Sequence, residues 1–217
     1  GKKYSTNIFI HSIDTINEQN IAELKNTLFS TFNTYPDILI NDSGVDFEHE
    51  YEHEDAISKI QLDEGMIKQW NKIILEELTG ILLLTKIFGH QMAIANGGVI
   101  LNILSDIYLN PKINIFNPML KVNHTALITI ANGLCGFTKY IATYWNEKNI
   151  RSNTLTIGAY KKSSRNFTRR APLKKQIPIG RFANDDEFKA AIAFLISDAS
   201  SYMTGSNLMI NGGRTCW

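Results

Sequence analysis

The residues with most to offer chemically stand where short β-prone runs end, and in one cationic stretch. Ser105 closes the apolar run Val99 to Leu104 and brings a hydroxyl that both donates and accepts. Asp14, Asn41 to Gly44 and Gly158 follow β-prone runs in the same way, and in α/β sheets ligands bind at such carboxyl ends. Between Ala159 and Arg181 there are eight basic residues and no acid: Lys161, Lys162, Arg165, Arg169, Arg170, Lys174, Lys175 and Arg181. Arg grips phosphate with two N–H groups, and a solvated loop explains the same charges. His49 and His53 lie at i and i+4 among the acids of Asp46 to Asp55, a spacing that holds a metal on a helix. A solvated acidic loop is the better reading, and no metal site is expected.

The elements that must position these residues alternate along the chain. Asn7 to Ile13 reads as a strand, and Thr15 with Glu18 three residues on reads as a capping box. The helix that follows has Ile21, Leu24, Leu28 and Phe32 on one face. Asp37 to Ile40 is a second strand, closed by Asn41-Asp42-Ser43-Gly44. Met66 to Ala95 reads as one long helix stopped by Gly97-Gly98, Val99 to Leu104 as a strand buried on both faces, and Thr125 to Trp145 as a second long helix. Then come a strand over Ile150 to Ile157, a helix from Asp185 to Ile196 capped by Asn184, and a last strand, Leu208 to Ile210. Strands of buried type alternating with helices predict a parallel sheet covered on both faces, in a single domain over 1–217.

Bulk properties exclude several partner classes. The chain has 217 residues, 44% hydrophobic and 20% charged, with a formal net charge of +1. Charge alone therefore gives no reason to expect nucleic acid or a membrane surface. The longest apolar stretch, Ile81 to Phe88, is far shorter than the roughly 20 residues that span a bilayer. Cys135 and Cys216 have no metal-like spacing and form no disulfide framework, so a reducing cytoplasm is the expected location.

Several ordered motifs resemble the short-chain dehydrogenases/reductases. Asp37 to Gly44 is similar to D-I-L-V-N-N-A-G, Gly97 to Ser105 to G-G-x-I-x-N-I-S-S, Gly136 to Lys139 to G-L-T-K, and Ile150 to Asn153 to I-R-V-N. Phe194 to Gly213, with Ser197 to Gly205 inside it, is similar to the family's tail F-L-x-S-D-x-S-S-Y-x-T-G and closing D-G-G. The insert after Ser105 and the terminal Trp217 resemble members of bacterial surface-sugar and flagellin-glycan pathways. The resemblance implies a Rossmann-like three-layer α/β/α fold with a mostly parallel sheet, bound to NAD or NADP.

It also implies a tetrad of Asn, Ser, Tyr and Lys: Tyr as general acid or base, Lys lowering its pKa and holding the ribose, Ser polarising the carbonyl, Asn keeping a water. Ser105 matches the Ser. Counted back from Gly136-Phe137-Thr138-Lys139, the Tyr position holds Leu127 and the Lys position Ala131; the Asn position holds Glu77, before Leu78-Thr79-Gly80. No Tyr-x-x-x-Lys occurs between Ser105 and Gly158. His124, one helical turn before Leu127, is the nearest other proton donor. By the same resemblance Asp14 contacts adenine, Asn41, Ser43 and Gly44 form the turn beside the ribose, and Gly158 belongs to the nicotinamide turn, with Ile157 in place of the family's Pro.

The family's Gly-rich phosphate loop belongs to a first strand and helix that precede the matched region. The chain opens on Gly1, not Met, at what resembles the third strand, so a native protein longer by about 40 to 50 residues is expected, together with an open apolar edge at Pro36 to Ile40. The resemblance further implies a homo-oligomer through the helices 66–95 and 125–145. It makes the basic segment a substrate cover suited to a phosphorylated or nucleotide-linked sugar. The reading that follows is a family homologue without hydride transfer; an active sugar or nucleotide-sugar oxidoreductase and a phosphosugar-binding module are the alternatives.

Overall fold

The computed structural model describes residues 8–42, 64–106, 109, 123–160 and 174–216. Four strands form one parallel sheet in sequence order: β1 (Ile38–Asp42), β2 (Gly98–Ser105), β3 (Ile150–Ile157) and β4 (Asn207–Ile210). Among the described residues five α-helices accompany them: α1 (Glu18–Phe32), α2 (Glu64–Ile73), α3 (Gly80–Ala95), α4 (Asn123–Tyr144) and α5 (Lys189–Ile196). Consecutive parallel neighbours require crossovers, and the helices supply them.

Side chains alternate across each strand, so the two central strands feed two cores. Ile100 and Ile150 pack with Met92 of α3 and Ile141 of α4 on one face. Leu101 and Leu155 pack with Ala191 and Leu195 of α5 on the other. The helix layers on both faces are the Rossmann-like arrangement expected. On the first face α3 makes room for Trp145, just past α4, because Gly89 has no side chain: a Cβ there would lie 2.4 Å from two ring carbons of Trp145.

Several expected elements differ. Residues 8–13 form no strand; Ile8 and Ile10 are 68% and 89% exposed, and β-prone residues without a neighbouring strand gain no ladder bonds. Helix α1 is capped by Asn17, whose side chain accepts from the N–H groups of Gln19 and Asn20, and not by Thr15. The expected helix from Asp185 starts only at Lys189; residues 185–188 are turns held by i to i+3 bonds, the Glu187 N–H to the Asn184 carbonyl at 3.1 Å and the Lys189 N–H to that of Asp186 at 3.3 Å.

The long helix is interrupted. Between α2 and α3, Ile74–Thr79 is a π-helical segment, the wider winding that accommodates an extra residue and recurs at functional sites. It keeps Trp70, Ile73, Ile74, Leu78 and Ile81 together against α4. The whole span Trp70–Ala95 is long and apolar enough to cross a membrane by length and composition, yet Ile81, Phe88 and Met92 are spent on the core, as in an ordinary core helix.

The family-like motifs in the second half tie β3 to the turn before β4. Arg151 donates through Nη1 to the carbonyls of Leu195 and Met203 and through Nη2 to that of Ser197, closing the end of α5. Asn153 donates to the Met203 carbonyl at 2.7 Å and accepts from the Ser206 N–H at 3.0 Å.

Candidate functional site

β2 delivers Ser105 to the carboxyl end of the sheet, opposite Ile157 of β3. The fold brings the other tetrad positions to the same region. Leu127 and Ala131, four residues apart on α4, share one apolar cluster with Leu104, next to Ser105, and with Ile74 and Leu78, which bracket the π segment holding Glu77. The positions expected from the resemblance are thus brought together, without the side chains that the resemblance implies. Leu127 is 4% exposed and Ala131 3%; where a proton donor and a cation are expected, there is packed hydrocarbon.

Glu77 is the ionisable group among the matched positions. Burial pushes its carboxyl above the ordinary range, and Glu76 and Asp42 push it further. Asp42, at the end of β1, is itself raised by burial. Two carboxyls that disfavour each other's charge hold protons to higher pH than either would alone.

Asn41 has a structural task. It is buried, and its Nδ2 donates to Asn102 Oδ1 at 2.9 Å and to Thr85 Oγ1 at 3.4 Å; Asn102 in turn donates to Thr138 Oγ1 at 2.9 Å. Asp14 is exposed and accepts from the Ile16 N–H at 3.1 Å, a local turn ahead of α1. Gly158 is buried against the chain itself: a Cβ there would sit 2.7 Å from Asn211 Cα. Ser43, Gly44, His49, His53 and Trp217 lie outside the described residues, as does the side chain of His124.

Among the described residues the donors for a nicotinamide cofactor are not assembled. The Asn41 amide is committed to the sheet, Gly158 faces Asn211, and Ala131 offers no charge to a ribose. These described residues do not by themselves fit the group.

The basic segment is only partly described, since Lys161, Lys162, Arg165, Arg169 and Arg170 lie outside the described residues. Arg181 is already engaged: Nη1 and Nη2 each donate at 2.7 Å to the two carboxylate oxygens of Glu187. That bidentate pair raises the Arg181 pKa and takes the fork a phosphate would need.

One pair escaped sequence reasoning. Asp106, directly after Ser105, is bonded by Arg214 through Nε at 2.8 Å and also through Nη2; both side chains are 1% exposed. Burial raises the Asp106 carboxyl, against the lowering effects of Arg214 and Asn211. The two residues are 108 positions apart, so no local spacing announces them. An acid just past a buried strand and an Arg after Gly-Gly were the available signals.

Comparison with known proteins fits this fold. The family profile described as enoyl-(acyl carrier protein) reductase matches residues 2–215. The chain is 30% identical over 183 residues to D-threitol dehydrogenase of Mycolicibacterium smegmatis, covering 82% of this chain and 63% of that protein. It is also 30% identical over 205 residues to an NAD-dependent glycerol dehydrogenase of Listeria innocua, covering 91% of this chain and 70% of that one. The chain thus spans less than two thirds of the D-threitol dehydrogenase. A gluconate 5-dehydrogenase from Burkholderia cenocepacia, solved with NADP and tartrate, superposes with a TM-score of 0.73 at 20% identity, covering 94% of this chain and 74% of that one; at that identity the likeness is one of fold. With the profile running over nearly all of its length and the parallel sheet between its helix layers in place, the chain belongs to the short-chain dehydrogenase/reductase family.

Proposed function

We propose that this chain is a short-chain dehydrogenase/reductase homologue that does not carry out hydride transfer and serves as a non-catalytic scaffold beside related subunits. The observation that carries this is the burial of Leu127 and Ala131 in a single apolar cluster. A leucine and an alanine sealed from solvent neither transfer a proton nor hold a ribose, and losing the acid/base group alone removes about 10²- to 10⁴-fold in rate. The outer faces of α3 and α4 are the surface for those subunits: exposed Leu82, Tyr140 and Tyr144 line a groove of about 470 Å³ there. The test is turnover of polyols, sugars and ketones with NAD(H) and NADP(H). Rates normal for the family would overturn the reading, and a monomer by sedimentation would remove its subunit surface.

A second reading is favoured by Glu77. A carboxyl raised by burial and by Glu76 and Asp42 keeps its proton to higher pH, as a general acid should. It would serve an NAD(P)-dependent oxidoreductase acting on a sugar or nucleotide-sugar in surface-glycan synthesis, with the nicotinamide as hydride donor and Ser105 polarising the carbonyl. The polyol names of the relatives favour a polyhydroxylated substrate. Turnover that survives Glu77→Gln unchanged would eliminate this route.

A further inference from the structure

Two β-prone elements of this chain lack a neighbour among the described residues, and each fits the other. The first is the outer edge of β1. The Val99 N–H donates to the Asp37 carbonyl at 2.9 Å, and in a parallel ladder alternate residues bond the same neighbour, so Asp37, Leu39 and Asn41 face β2. Ile38 and Ile40 turn their N–H and C=O groups the other way, where no strand follows among the described residues. Their side chains are 39% and 42% exposed, on the sheet face that carries Leu101.

The second element is residues 8–13. They form no strand, and Ile8 and Ile10 stand open to solvent. The segment is held away from the β1 edge of its own chain. Phe9 meets Phe32, the last residue of α1, edge to face at 6.0 Å between ring centres. Thr15, just beyond, fills the space beside Gly80 of α3, where a Cβ would lie 2.7 Å from its Oγ1.

The match has three parts. Each element presents two isoleucines two residues apart, the spacing that sets side chains on one face of a strand, so Ile8 and Ile10 laid beside β1 pair with Ile38 and Ile40. Each carries backbone groups without a ladder partner, and strand addition supplies one. The charges are opposite: residues 1–13 contain Lys2, Lys3 and His11 and no acid, whereas Asp37 and Asp42 bracket β1. Pairing β1 with a second β1 would place acids on both sides of the contact.

We propose that two copies of this chain exchange strands, residues 8–13 of each adding to the outer edge of β1 in the other. Because the exchange is reciprocal, it closes at two copies and does not propagate. It rests neither on the proposed loss of catalysis nor on the α3–α4 surface, since none of its residues belongs to either.

Cross-linking of the full chain tests it, in a background with Cys216→Ser to remove the exposed native thiol. Protein with Ile10→Cys is mixed with protein carrying Ile38→Cys or Ile40→Cys and mildly oxidised. The mixed disulfide should exceed the two like-with-like disulfides together; random collision makes them equal. Adding Ile8→Lys to the Ile10→Cys protein should cut the mixed product about tenfold, the least that one buried isoleucine supplies. Ile8 is exposed in the single chain, so this variant stays folded, which circular dichroism checks. Mixed and like disulfides in equal amount would mean indiscriminate contact between edges. A mixed product insensitive to Ile8→Lys would mean contact elsewhere, and no intermolecular product would mean that the edge is filled from within one chain or left bare. Each of these three results overturns the exchange.

Discussion

Asn41 and Asn102, opposite each other on β1 and β2, join side chain to side chain at 2.9 Å, and the chain of bonds runs on through Thr138 to Thr154 on β3, again at 2.9 Å. Four elements are thereby held by buried amides and hydroxyls, each of which is costly if left unmade. Asn102→Leu would remove one of the two acceptors of the Asn41 amide and one of the two partners of Thr138. We expect a loss of about 0.5–1.5 kcal/mol per lost bond, read as a lower urea midpoint at unchanged slope. A loss below about 0.5 kcal/mol would mean the network contributes nothing.

Glu77 makes stability depend on pH in a defined direction. Its folded pKa is raised above the ordinary glutamate value of 4.5, so the folded state holds a proton that the unfolded state releases. That contribution is full below 4.5 and is lost as pH rises through the folded value. Glu77→Gln should accordingly stabilise the protein at neutral pH, with the gain fading below 4.5. Thermal unfolding of both proteins across that range checks the sign; a variant equally stable at every pH would refute it.

Ala131→Lys restores the residue type that the family places there, but into hydrocarbon. Burying an unpaired ammonium beside Leu127, Ile130 and Leu134 should cost several kcal/mol at neutral pH. Since burial lowers a lysine pKa, the unfolded chain binds the extra proton, and stability should recover as pH rises toward about 10. Denaturant titrations at neutral and alkaline pH give the comparison. No pH dependence would show that the lysine reaches solvent.

The Arg214–Asp106 pair is suited to a double-mutant cycle. Arg214→Met alone leaves a buried carboxylate and should cost about 3–5 kcal/mol, whereas Arg214→Met with Asp106→Leu should recover most of that loss. Additive losses in the double variant would indicate that the two side chains act independently.

Much of the fold was legible because it is written in local patterns. Buried-type strands such as Val99 to Leu104 and helical spacing such as Ile21, Leu24 and Leu28 report periodicity, and periodicity decides which face is buried. The differences at Thr15 and Asp185 are local: Asn17, and not Thr15, accepts from the first amides of α1, and residues 185–188 close as turns ahead of Lys189. The strand expected over 8–13 failed for a different reason, since strand propensity is realised only against a neighbour.

The candidate site was legible as positions, through the resemblance, and less so as environment. That Leu127 and Ala131 lack the chemistry of Tyr and Lys follows from their identity alone. That both are sealed in one cluster, that Glu77 sits in a π segment whose burial raises its carboxyl, and that the Asn41 amide is spent on Asn102 are consequences of packing. The sequence by itself determined the alternation of elements, the parallel sheet and the presence of Leu and Ala at 127 and 131, because side-chain type and spacing are local properties. Only the tertiary structure decided that Asp106 and Arg214 form one buried pair over the end of the sheet, because a contact between residues 108 positions apart exists only once β2 and the chain's last turn are brought together.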